Sequence, residues 1–196
     1  MMTKDEAVRL QTRLGVAADG IIGRQTLAAL FAKAGAAPER AAELALSGAV
    51  HMTAAGILDT PLRLAHFMAQ LAHESGSFRY MEELASGATY EGRADLGNTQ
   101  PGDGPRYKGR GPIQLTGRGN YRRVGQKIGV DLERHPELAA IPSIGLWVAC
   151  IFWTDNGLNE PADRDDVLAV TRRINGGTNG LDSRKAVLAK MKGLLL

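Results

Sequence analysis

Leu64, Phe67, Met68 and Leu71 share one face of a helix that the sequence predicts over Pro61 to about Glu74, and that apolar stripe, carried three residues past Leu71, reaches Glu74. A glutamate in that place is either an exposed helix-end residue or a carboxyl held against the core, and in the second case desolvation favours the protonated form that a general acid requires. Glu82 and Glu83 supply a second acidic site. In a continuous helix Glu83 would stand ~13 Å along the axis from Glu74, on the opposite face. Two carboxylates that flank one glycosidic bond approach to roughly 5–9.5 Å. The helix must therefore stop, and Ser75-Gly76-Ser77 supplies the stop. One of Glu82 and Glu83 is then a solvated loop residue, and the sequence leaves open which.

Other chemistries fit less well. His73-Glu74 lacks the second histidine that a zinc-protease helix needs four residues on, where Ser77 stands. His66 and His73 could share a face, but no further ligand has the required spacing, so neither a metal nor a cofactor is expected. Cys150 lies in the apolar run Leu146 to Trp153, which reads as a buried helix where a thiol is inert. Being the only cysteine, it also excludes a disulfide scaffold. Tyr107 to Tyr121 mixes glycines, basic residues and aromatics, as single-strand binders do. The polar series Gln114, Thr116 and Asn120, with Ile113 and Leu115 flanking Gln114, instead suits a neutral polar ligand. No phosphate loop is present, and nucleic acid is not expected as a partner.

The elements that must position these groups are helical. Thr60-Pro61 opens the Glu74 helix, Glu39 to Ser47 reads as another, and Gly35-Ala36-Ala37-Pro38 is the candidate linker before it. Asp5 to Ala34 reads as helix, turn, helix, with Val8, Leu10 and Leu14 in the first and Leu27, Leu30 and Phe31 in the second. So short a unit buries little by itself, and must be small, docked on the rest, or both. The 196 residues suit one globular domain with a small appendage. No apolar stretch reaches the ~20 residues that span a bilayer, so stable membrane insertion is not expected. Asp5 and Glu6 stand where a secretory signal would be basic, which predicts cytoplasmic synthesis without a signal peptide. The net charge is +3, and Arg106 to Arg134 holds eight basic residues against Asp131 and Glu133, a surplus suited to a polyanionic target. Nine glycines between Gly87 and Gly119 mark the same stretch as a loop-rich binding surface.

Two resemblances sharpen these expectations. Leu10 to Val16, Asp19 to Gly23 and Thr26 to Leu30 are similar to about half of a peptidoglycan-binding module. His73 to Arg79, Tyr107 to Tyr121, Phe152-Trp153 and Thr171 to Gly177 stand in the order and spacing of glycoside hydrolase family 19, and residues from about 40 to 196 resemble its phage and bacterial branch. The resemblance implies a mainly α, lysozyme-like two-lobed helical domain around a cleft, here residues 37–196, with residues 1–36 as a short helical appendage. It implies hydrolysis of β-1,4 links in polymers containing N-acetylglucosamine. It matches Glu74 to the general acid, Glu83 to the second carboxylate and Thr116 to a residue positioning the attacking water. His73, Tyr107, Gln114, Asn120, Asn175 and Arg184 become its substrate-binding residues. The plant members' disulfides and longer loops are missing. Together the two resemblances predict a monomeric endolysin that inverts configuration while cutting bacterial peptidoglycan, reaching the wall after the membrane is permeabilised. A chitinase and an antibacterial wall-degrading toxin are the alternatives.

Overall fold

Thr3 and Glu6 open the first helix reciprocally. The Glu6 amide donates to the Thr3 hydroxyl at 3.3 Å and the Thr3 amide to the Glu6 carboxylate at 2.7 Å. In this computed structural model, which describes residues 1–196, α1 then runs over Lys4–Leu14, α2 over Arg24–Lys33, α3 over Pro38–Ala54 and α4 over Pro61–Glu74. A long loop leads to the short α5 (Asp103–Arg106) and to α6 (Arg118–Ile128). The chain finishes with α7 (Pro142–Asp155), α8 (Asn159–Asp163), α9 (Val167–Asn175) and α10 (Leu181–Leu195). The only extended pairing is a pair of isolated antiparallel bridges, Glu82 with Arg110 and Arg110 with Leu115.

The helix expected at Glu39 to Ser47 continues to Ala54 because Gly48 packs rather than breaks. A Cβ there would stand 3.0 Å from Leu27 Cδ1, so the glycine lets α2 lie close on α3. One hydrophobic cluster of 42 buried residues runs from Leu10, Leu27 and Phe31 through Phe67 and Trp153 to Leu195, so the N-terminal hairpin is docked on the rest. Arg13 ties α1 to the other end of the chain through the Leu194 carbonyl at 3.0 Å. Cys150 is buried in α7, and burial pushes its thiol up, away from the reactive thiolate. No helix is long and apolar enough to cross a membrane.

The stop after α4 is a left-handed reversal. Gly76, Ser77 and Phe78 all have φ near +60° (58°, 62° and 62°), two of them non-glycine residues in a region that L side chains resist. The Phe78 amide donates to Ser75 Oγ at 2.8 Å, and Arg40 donates to the Phe78 and Arg79 carbonyls at 3.1 and 2.9 Å. Phe78 is thereby turned back into the core, edge-on to Phe31 at 5.3 Å between ring centroids. Burial of that ring offsets the backbone strain, and the chain leaves the turn heading back past the end of α4.

Candidate active site

Glu74 opens onto a cavity of about 230 Å³ between α6 with its preceding loop on one side and α7 with α9 on the other. Gln114, Thr116, Asn120, Arg123, Phe152 and Asn175 line it with Glu74. The Glu74 side chain is 20% exposed, and its Oε1 accepts from Nη2 of Arg184, whose own side chain is 2% exposed. A buried guanidinium rather than apolar surface alone therefore holds this carboxyl.

Glu83 is fixed from two directions. Its Oε1 accepts from the Tyr90 hydroxyl at 3.1 Å and its Oε2 from the Gly109 amide at 3.0 Å, while its own amide donates to the Gly109 carbonyl at 2.8 Å. Each carboxylate oxygen thus accepts one hydrogen bond, which fixes the orientation of the side chain. Burial, and then the bond to Glu83, push the Tyr90 phenol up, so it stays a donor. Glu83 does not line the cavity itself but adjoins it at Gly109, where a Cβ would stand 2.6 Å from Gln114 Oε1 and 3.2 Å from Glu83 Oε2. Glycine is the residue that leaves room for both groups. Glu82 points elsewhere, to Arg110 at 3.1 Å and Lys108 at 3.2 Å.

Gln114 sits at φ 55° with its amide donating to the Gly111 carbonyl at 2.9 Å. A non-glycine residue in that region is a local strain of the kind that functional sites retain. Thr116 spends its hydroxyl proton on the Gln114 carbonyl at 2.9 Å, which leaves its oxygen lone pairs free to accept from a water. Asn120 donates to the Thr116 carbonyl at 2.7 Å and keeps Oδ1 free. Asn175 ends α9 and orders the following loop, donating to the Asn179 carbonyl at 2.9 Å and accepting from the Gly177 amide at 2.8 Å.

Three expected substrate contacts are placed differently. Tyr107 is buried at 1% exposure, packs on Tyr121 and donates to the Glu133 carbonyl at 2.9 Å, so it is a core residue. Arg184 is buried too and reaches Glu74 and Gln70, so it holds the carboxyl instead of sugar. His73 lies outside the cavity, against Ser183 Oγ at 3.0 Å, with burial and then the nearby Arg184 holding its imidazole below the usual range. Arg123, Asp155 and Asn156 line the cavity unforeseen, and Phe152, marked in the sequence only as part of a motif, lines it too. Helical spacing could have indicated Asp155 and Asn156, which follow Phe152 by three and four residues on α7.

A larger hollow of about 710 Å³ contains neither Glu74 nor Glu83. Its Arg118 is committed to Asp103 at 2.5 Å and Glu133 at 3.3 Å. Of the two, only the smaller cavity has Glu74 in its wall.

Residues 25–175 match the family model described as chitinase class I, of glycoside hydrolase family 19. The chain belongs to glycoside hydrolase family 19. A family 19 domain-containing protein of Haemophilus influenzae is 32% identical over 154 residues, covering 63% of this chain and 75% of that one. An endochitinase of Arabidopsis thaliana is 41% identical over 115 residues, 58% of this chain. The chain spans 39% of that plant enzyme's length. Among solved structures, chitinase C of Streptomyces griseus superposes with a TM-score of 0.63 at 22% identity, covering 76% of this chain and 83% of its own. The class IV family 19 chitinase of Zea mays gives 0.59 at 21% identity over 95% and 90% of the two chains. These likenesses show the mainly helical, lysozyme-like fold of this glycoside hydrolase.

Proposed function

We propose that this family 19 glycosidase hydrolyses the β-1,4 links of bacterial peptidoglycan between N-acetylmuramic acid and N-acetylglucosamine, with inversion. Glu74 gives its proton to the leaving glycosidic oxygen while Arg184 balances the charge that remains. Glu83, aligned by Tyr90 and Gly109, takes a proton from a water that Thr116 also holds, and the water attacks the opposite face of the sugar. Inversion requires carboxyl groups ~6.5–9.5 Å apart, room enough for that water. Gln114, Asn120 and Asn175 present the polar groups of a sugar subsite.

The observation that carries the substrate is Arg123. It lines the cavity and, unlike Arg118 and Arg184, has no hydrogen-bonded or ionic partner. A chitin chain is uncharged, whereas peptidoglycan brings carboxylates on its stem peptides to the sugar backbone, and a free guanidinium is suited to them. The N-terminal resemblance to a wall-binding module supports the same target and the setting of an endolysin, with an antibacterial toxin using the same chemistry. Chitin is the second reading, favoured by the identity to plant endochitinases.

Digestion of purified peptidoglycan and of chitin by the same preparation separates the two, with products read by mass spectrometry. New muramic acid reducing ends are expected. Reducing glucosamine ends from peptidoglycan, cleaved peptides, or turnover of chitin alone would overturn the proposal.

A further inference from the structure

His66 and Gln70 precede Glu74 by eight and four residues on a face of α4 apart from the Leu64, Phe67, Met68 and Leu71 stripe, both fully buried within a stretch, Leu64 to Ala72, whose other members are apolar. Spacing of four residues sets the three polar side chains on one face, roughly 5–6 Å apart in steps. Burying polar groups in such company is unfavourable unless each finds a partner. Arg184 supplies two of them from α10, Nη1 donating to Gln70 Oε1 and Nη2 to Glu74 Oε1. A guanidinium cannot accept, so the orientation of the Gln70 amide is settled and Nε2 is the atom left over.

At the far end His66 Nε2 meets Asp165 Oδ1 at 2.9 Å. A carboxylate accepts, so Nε2 holds the imidazole proton and Nδ1 presents a bare lone pair. The other oxygen of Asp165 takes the Lys192 ammonium from α10. Along this line two buried atoms have no partner in the protein, Gln70 Nε2 and His66 Nδ1. One is a donor and the other an acceptor, and they lie one helical turn apart on the same face.

We propose that Gln70 and His66 are positioning residues for hydrolysis. One buried water joins Gln70 Nε2 to His66 Nδ1, completing a hydrogen-bonded chain from Lys192 through Asp165, His66, Gln70 and Arg184 to the Glu74 carboxyl. Gln70 Nε2 donates to such a water and His66 Nδ1 accepts from it, two of the two to four bonds that a buried water makes. The chain fixes Arg184 in the plane of both its acceptors and thereby the direction in which Glu74 faces the cavity. Neither Gln70 nor His66 touches substrate. The positioning role rests on Glu74 being the acid.

The test pairs kinetics with a measurement independent of turnover. In 15N-labelled protein the His66 Nδ1 resonance is expected in the range of an unprotonated nitrogen with Nε2 protonated, and the Gln70 side-chain amide should show transfer from a long-lived water. Gln70→Met is expected to shift the His66 Nδ1 signal and, misaligning the acid, to lower kcat about tenfold or more with KM changed less than twofold. A protonated Nδ1 in the wild type, or a Gln70→Met variant with full kcat and an unmoved Nδ1, would overturn the proposal. If the wild type hydrolyses neither peptidoglycan nor chitin, the functional reading fails, while the nitrogen spectra of the same protein still decide whether the chain of bonds exists.

Discussion

Glu82 and Glu83 adjoin in sequence and are bound on different sides of one extended segment, Glu82 to the Arg110 guanidinium at 3.1 Å and Glu83 to the Gly109 amide at 3.0 Å. Residues in extended backbone alternate in direction, so the bridge between Glu82 and Arg110 that turns one carboxylate to the basic pair turns its neighbour toward Gln114. Glu83→Gln should therefore abolish hydrolysis and leave the fold intact. Glu82→Gln should retain most activity and lose about 1 kcal/mol of stability, since the partly exposed carboxylate is screened by water. Urea unfolding beside an activity assay of both variants checks the pair, and the opposite pattern would exchange their roles.

Glu74→Gln removes the proton donor while keeping the shape of the side chain and an acceptor for Arg184. Loss of about 100- to 10,000-fold in kcat is expected, the range for a general acid, with a lowered melting temperature because the buried Arg184 guanidinium loses its counter-charge. Activity within tenfold of the wild type would exclude Glu74 as the acid.

Arg123→Gln separates the two candidate substrates. With peptidoglycan, KM should rise several-fold, and with uncharged chitin oligosaccharides it should stay within twofold. Equal effects on both would remove the argument from charge.

Tyr107→Phe tests the reassignment of that residue to the core. The bond to the Glu133 carbonyl is lost, which costs about 1 kcal/mol of stability, and KM for either glycan should not move. A selective rise in KM at constant stability would return Tyr107 to the substrate-binding set.

Acid stability should depend on His66. Burial holds its imidazole below the ordinary value of 6.5, outweighing the bond to Asp165, and the charged groups facing it are Asp165, Asp166 and Lys192. The unfolded chain then binds the proton more readily than the folded one. Stability is complete above the unfolded value of about 6.5 and falls as the pH drops through it, continuing to the depressed folded value. Burial works against ionisation of Asp165, but its bonds to Lys192 and His66 hold it below the carboxylate range, so its contribution is lost in the same direction at lower pH. Melting temperatures of the wild type and His66→Gln between pH 7 and 5 should converge on acidification, and parallel curves would show that His66 does not titrate on unfolding.

Local rules read from the sequence located five of the ten α-helices, α1 to α4 and α7. The apolar stripe and the Thr60-Pro61 start give α4 its bounds, Ser75-Gly76-Ser77 ends it, and the apolar run around Cys150 lies in α7. The motif spacing also marked Gln114, Thr116, Asn120 and Asn175, all of which line the cavity with Glu74. These assignments depend on periodicity and turn chemistry among near neighbours, which a sequence displays directly. Tertiary structure decided whatever depends on distant partners. Arg184 and Glu74 meet across 110 positions, Tyr107 is buried by Tyr121 and by a carbonyl 26 residues on, and Glu83 is distinguished from Glu82 by the loop that returns at Gly109. A glutamate, a tyrosine and an arginine have the same letters in a cleft as in a core. Only the packing of remote segments sets their exposure and their hydrogen-bond partners, and with those their chemistry.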